Sequence, residues 1–153
     1  MTNAVLVGFK RSPFTIANKG LLANVRPEDI LSQVINDLIK TTNINKDDIE
    51  DIIAGCAYPE GTQGYNIAKI VSFMTDMPEH VGGMTINRWC GSSMQAIHSA
   101  AGAISMNAGK VFICCGIESM TSVPINGLNY SPHPVLLKDC LLYTSPSPRD
   151  HQP

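Results

Sequence analysis

No stretch of this chain approaches the ~18 consecutive apolar residues of a membrane-spanning helix. Nor is there a basic excess: 11 Lys and Arg stand against 13 Asp and Glu, for a formal net charge of −2. That balance argues against a nucleic-acid partner. The first apolar run, residues 4–9 with Gly8 inside it, is too short for a secretory h-region and has no basic segment before it. The expectation is a soluble, cytoplasmic protein with no membrane span. C-x-x-C and H-x-x-x-H pairs are missing and the four histidines are scattered, so no metal site is expected. The cysteines are five, at 56, 90, 114, 115 and 140. Their odd number and uneven spacing argue against a disulfide framework and for reduced thiols. What remains is ordinary for a folded protein: 44% hydrophobic residues rule out wholesale disorder, and 153 residues suit one domain.

The pattern of apolar residues alternates short runs with helical periodicity. Ala-Val-Leu-Val-Gly-Phe at 4–9 reads as a buried strand, ended by Lys10, Arg11, Ser12 and Pro13. Pro27, Glu28 and Asp29 open a helix: proline suits the first turn, and carboxylates there complement the helix dipole. Ile30, Leu31, Val34, Ile35, Leu38 and Ile39 give it one apolar face, ending near Thr41. Residues 51–56 are a second short buried strand, residues 61–64 a loop and residues 66–73 a short helix. A third strand is read at 84–87. The run of small residues at 92–106 predicts a helix buried on most sides, and Val-Phe-Ile-Cys-Cys-Gly at 111–116 a fourth strand. Strands without polar alternation, interleaved with helices, indicate a layered α/β sheet.

After Val123 the prolines at 124, 132 and 134 mark an irregular stretch. Cys-Leu-Leu-Tyr-Thr-Ser-Pro-Ser-Pro-Arg-Asp at 140–150 has neither helical nor strand periodicity. It resembles the conceptual translation of a transposase adapter used in short-read DNA library preparation. Residues 140–153 are therefore expected to be a non-native tail; a disordered Pro/Ser tail is the alternative reading.

Cys90 is the first candidate for chemistry. It lies where a strand ends and the small-residue helix begins, within Asn-Arg-Trp-Cys-Gly-Ser-Ser-Met-Gln-Ala at 87–96. The helix dipole and unpaired N–H groups at such a place favour thiolate, the nucleophilic form. From position alone, an inert buried cysteine is the competing reading.

The surrounding residues carry more. Asn-Arg-x-Cys-x-Ser-x-x-Gln-Ala resembles the nucleophile segment of the thiolases, enzymes that make or cleave 3-oxoacyl-CoA. Lys10 to Phe14 with Arg26 to Asp29 resembles the N-terminal strand, loop and first helix of that family. Gly116, Ile117, Glu118, Ser119 and Met120 resemble its G-x-E-S-M turn, and residues 55–66 its glycine-bearing loop. The resemblance runs through residues 1–138 without a gap, and its nearest subgroup is the acetyl-CoA acyltransferases (3-ketoacyl-CoA thiolases).

The resemblance implies an α/β, thiolase-like fold, N-terminal half only, with a mixed sheet and helices on both faces. Residues 1–139 would be an incomplete N-terminal domain, ending inside the loop region that covers CoA. It implies Cys90 as catalytic nucleophile, accepting an acyl group from a CoA thioester, with its backbone N–H as an oxyanion donor. Coenzyme A is then a substrate, with no cofactor and no metal. The full-length protein would be a homodimer or homotetramer acting on acyl-CoA and CoA in fatty acid metabolism. The family's G-H-P and C-x-G-G-G segments do not occur here. His133 is preceded by Pro132 where the motif has glycine, and Cys114 and Cys115 have no glycine run. The chain as given is therefore expected to be inactive. The alternatives are a biosynthetic acetoacetyl-CoA thiolase or other condensing enzyme and, from another class, a non-catalytic acyl-CoA-binding relative or dead fragment.

No substrate-binding residue is assigned. Asn87 and Arg88 are read as holding loops around the nucleophile turn, and Glu118 and Ser119 as bracing the site wall from a buried turn. His98 is read as a packed helix residue. Lys10 and Arg11 fit either steering of CoA phosphates or a solvated strand end, and the methionines fill core and loops.

Overall fold

A computed structural model of the chain describes residues 3–135. Helix α1 (Pro27–Thr42) begins at its proline, carries Glu28 and Asp29 in its first turn, and ends at Asn43 in the left-handed region. The Arg26 guanidinium pairs with the Glu28 carboxylate at the entry. Strand β1 (Asp51–Gly55), helix α2 (Ile67–Met74), strand β2 (Gly82–Ile86), helix α3 (Ser92–Ser105) and strand β3 (Phe112–Gly116) follow. The start of α2 is tied to β2 through Asn66: its Oδ1 accepts from Lys69 N–H and the Thr85 hydroxyl, and its Nδ2 donates to Gly83 C=O.

The strands lie in the order β2-β1-β3, with both pairs parallel. The expected helices on both faces are present, because β1 alternates its side chains between two cores. Ile52 and Ala54 pack with Leu31 and Ile35 of α1 and Ile67, Ala68 and Val71 of α2. Ile53 points the other way, onto Ala96 and Ala100 of α3. A mixed sheet is not what the described residues form. Every link between these strands crosses over through a helix, which returns the chain parallel.

Two further expectations are corrected. Residues 4–9 form no strand: Val5, Leu6, Val7 and Phe9 are each at least three-quarters exposed. Their run passes over the end of α1, where Gly8 faces Thr42 and Leu38. An apolar run specifies a strand only if a neighbour offers backbone donors and acceptors, and none of the described strands pairs with it. Helix α3 is buried along one stripe, Ser92, Ala96 and Ala100, and not on most sides. Its small residues let that stripe approach the sheet; Met94 and Ile97 on the helix and Met106 at its C-cap are exposed. Of the methionines, Met77 packs against the core, while Met74, Met84 and Met120 are also exposed. The tail expectation for residues 140–153 lies outside the described residues.

This much uncovered apolar surface has a measurable consequence. Expressed alone, the chain is expected to self-associate, giving polydisperse species in sedimentation velocity. A monodisperse monomer with a cooperative thermal transition is the opposite outcome.

Candidate active site

The register of the sheet places the site. Gly55 is level with Ile86 on one side and Gly116 on the other, so all three strands end together. Residues 56–58, 87–90 and 117–119 therefore leave the same carboxyl edge, the usual location of ligand sites in parallel sheets. The small Gly55 and Gly116 let the first turn of α3 come down onto the sheet. A Cβ on Gly55 would run into the backbone of Ser92 and Ser93, and one on Gly116 into the Ser93 hydroxyl.

Cys90 sits in the turn between β2 and α3 and is exposed rather than buried. The turn is fixed residue by residue. Asn87 Oδ1 accepts the Trp89 N–H at 2.9 Å, closing an Asx-type turn, while its Nδ2 donates to Ala57 C=O at 2.8 Å. The buried Ser92 hydroxyl accepts from Arg88 N–H and donates to Trp89 C=O. Between these clamps Trp89 takes φ +50°, a left-handed conformation that a bulky side chain rarely holds without such support. The Tyr58 ring meets Trp89 edge to face, centroids 5.7 Å apart at 83°. Arg88 reaches along α3 to Gln95 Oε1 at 2.6 Å. Asn87 and Arg88 thus hold the turn, as the sequence suggests.

Glu118 does brace the site wall, but from an exposed position rather than a buried turn. Its carboxylate accepts the Ala57 N–H at 2.7 Å and the Gln63 side-chain amide at 2.8 Å. Gln63, fully buried, also donates to Tyr58 C=O at 2.9 Å and accepts the Ser119 N–H. Ala57, Tyr58 and Gln63 were not singled out by sequence. They belong to an irregular loop with no periodicity, and the only hint is a glutamine flanked by glycines at 61 and 64. His98 is exposed on α3 rather than packed. Lys10 pairs with Asp37 of α1 at 2.8 Å, and Arg11 lies over the Phe14 ring at 5.4 Å. Among the described residues no three His, Cys, Asp or Glu side chains gather as metal ligands would.

The other thiols have different surroundings. Burial, with the Glu118 carboxylate adding to it, pushes the Cys56 thiol up to about 11. Cys115, against Ile53 C=O, is pushed to about 12 by burial and then by Cys114, and Cys114 is raised too by burial. The Tyr58 phenol is also raised, first by burial and then by Glu118, Cys90 and Glu60. A thiol whose folded pKa lies above its unfolded value favours folding below the unfolded value and ceases to do so as pH rises through the folded one. Cys56 and Cys115 should thus destabilise the fold as pH climbs from about 9 towards 11 and 12. At pH 8 iodoacetamide is expected to label Cys90 in the native protein and to spare Cys56 and Cys115, with all three labelled in urea. Peptide mass spectrometry reads this directly; equal labelling in the native state would contradict it.

With this geometry in view, the comparisons with known proteins fall into place. Residues 4–139 match the family model for the thiolase N-terminal domain. Over 134 residues the chain is 38% identical to a 3-ketoacyl-CoA thiolase of Aeromonas salmonicida, covering 86% of this chain and 35% of that protein. A 3-ketoacyl-CoA thiolase of Shewanella frigidimarina is 39% identical with the same coverage. Among solved structures, the Bacillus anthracis acetyl-CoA acetyltransferase aligns with a TM-score of 0.75 at 29% identity, over 87% of this chain and 35% of that one. The Acat5 thiolase of Ascaris suum, solved in complex with coenzyme A, gives 0.65 at 28% identity, over 74% of this chain and 32% of that one. The chain thus spans about 35% of the length of the curated relatives it matches. The family model spans most of the chain, and the relatives and solved structures carry the same family's names: this chain belongs to the thiolase family, whose N-terminal domain it matches.

Proposed function

We propose that the protein to which this chain belongs is an acyltransferase that exchanges acyl groups between 3-oxoacyl-CoA and CoA, with Cys90 as the acyl-accepting nucleophile. The observation that carries the reading is an exposed thiol in a rigid turn at the start of α3, on the carboxyl edge of the sheet. Such a place leaves the sulfur open to a substrate approaching the carboxyl edge of the sheet.

In the degradative direction the Cys90 sulfur attacks the 3-keto carbonyl, a step the Cys90 N–H is suited to assist as oxyanion donor. The bond between C2 and C3 breaks, C3 stays on sulfur as a thioester, and acetyl-CoA leaves as its enolate and takes up a proton. The thiol of a second CoA then attacks the thioester, forming the shortened acyl-CoA and returning the Cys90 thiolate. One thioester is exchanged for another, which keeps both half-reactions near balance. Proton transfer needs an acid and a base. The sequence holds neither the G-H-P nor the C-x-G-G-G segment. The reading therefore assigns these transfers to the rest of the protein and takes the isolated chain to be inactive. It further takes the whole protein to be a cytoplasmic homo-oligomer with acyl-CoA and CoA as its partners, coenzyme A being substrate rather than cofactor, and no metal. The coenzyme A complex of the Ascaris suum relative supports that choice of substrate.

The test is covalent capture. The whole protein, mixed with acetyl-CoA and quenched in acid, should carry an acetyl mass on the peptide containing Cys90, discharged by free CoA. An unmodified peptide, in a folded protein that binds acyl-CoA, would leave the non-catalytic binding reading in its place.

A further inference from the structure

We infer that Glu118 is a positioning residue for the Cys90 turn, acting through Gln63 and residues 57 and 58. Both backbone groups of Ala57 are engaged, on opposite sides. Its N–H is held by Glu118 at 2.7 Å, and its C=O takes the Asn87 amide at 2.8 Å. Asn87 in turn accepts the Trp89 N–H, one residue before Cys90. A second route runs in parallel. Gln63 is gripped by Glu118 and Ser119 and holds Tyr58 C=O, and the Tyr58 ring packs edge-on against Trp89. Both routes converge on the residue whose left-handed backbone sets the direction of the turn.

The polarity of the network makes the carboxylate specific. Gln63 Oε1 accepts from Ser119 N–H, so its Nε2 must face Glu118. Ala57 presents an N–H to the same carboxylate. Two N–H donors therefore converge on the two acceptor oxygens, with the Cys56 thiol as a third, long partner at 4.0 Å, and the isosteric Glu118→Gln places an amide N–H against one of the N–H donors. The Gln63 amide cannot relieve the clash by flipping, because that would turn its own N–H groups onto Ser119 N–H.

The kinetic arm of the test rests on the acyltransferase reading; the labelling arm does not. In the whole protein, Glu118→Gln is expected to lower kcat roughly tenfold while KM stays within about twofold, the signature of a displaced reacting group. The rate of Cys90 alkylation by iodoacetamide at pH 8 should fall by about threefold or more, since the clamped turn is what presents the sulfur at the start of α3. Asn87→Ala should behave alike, and the double variant should be no worse than the more impaired single one, as for two links of one chain. If Glu118→Gln does not fold, Glu118→Asp, which keeps two acceptors at shorter reach, replaces it in the same cycle. Effects that multiply in the double variant, or a lowered melting temperature with unchanged Cys90 alkylation, would overturn the inference and leave Glu118 a wall residue only. A wild type that never acquires an acyl group at Cys90, with alkylation still dependent on Glu118, would instead sink the acyltransferase reading and keep the relay.

Discussion

Serine at position 90 is expected to lower CoA-dependent cleavage of a 3-oxoacyl-CoA by the whole protein roughly 10⁴-fold. Two effects combine. A serine hydroxyl has almost no ionised form at neutral pH and is a far weaker nucleophile than a thiol. Any acyl group that did reach the oxygen would form an ester more stable than the thioester it came from, and its return to CoA would be uphill. The fold should not contribute, because Cys90 is exposed and surface substitutions usually stay within about ±0.5 kcal/mol. Steady-state rates for Cys90→Ser beside the parent, with matching circular dichroism, make the measurement. Activity within tenfold of the parent would mean that another group accepts the acyl chain.

The largest effect on stability is expected from a single methyl group at position 55. Gly55 closes the central strand, and a Cβ there would occupy the backbone of Ser92 and Ser93. Backbone cannot swing aside as a side chain can, so Gly55→Ala must lift the first turn of α3 off the sheet. Overpacking of this kind costs about 3 kcal/mol, the upper part of the usual range. Gly102, inside α3, is the matched control: its Cβ would meet nothing within 4 Å. Gly102→Ala should stabilise by about 0.5–1 kcal/mol through helix propensity alone. Urea midpoints of the two variants, at constant m-value, should move in opposite directions. A neutral Gly55→Ala would show that α3 is not seated as closely as the structure has it. The same variant should also disturb Cys90, which shares that turn.

What could be read from the sequence follows from how local each signal is. The start of α1 is announced by Pro27, Glu28 and Asp29, and the observed helix differs from the expected end by one residue. The strands at 51–55 and 112–116 and the helix from Ser92 are legible because apolar runs and small-residue runs are contiguous, whereas the strand read at 84–87 in fact spans 82–86, since Gly82 and Gly83 carry no apolar signal. The position of Cys90 between a strand and a helix is legible because a motif surrounds it. Residues 4–9 misled because strand identity belongs to a pair of chains, and only one of the pair is written in the run itself. Glu118 could be named from its motif, but not what it holds. Ala57, Tyr58 and Gln63 act through backbone carbonyls and a buried amide in a loop, and no periodicity marks such groups. Trp89 is legible as an aromatic side chain; its φ of +50° is legible only in three dimensions.

The level ends of the strands divide the molecule into two edges with different freedom to change. Residues 56–66, 87–91 and 117–123 crowd one edge, where their amides and carbonyls are mutual partners. The links on the other edge, residues 43–50, 75–81 and 106–111, are joined by fewer bonds, among them Lys46 Nζ to Thr75 C=O at 2.7 Å and Glu50 N–H to Val111 C=O at 2.9 Å. A one-residue insertion in the second edge is therefore expected to cost less stability than one in the first. A lengthening of even one residue between Ile86 and Ser92 would break the Asn87 and Ser92 clamps and move Cys90 off the start of α3. The first edge tolerates substitution of side chains that face solvent, and little change in the length of its loops.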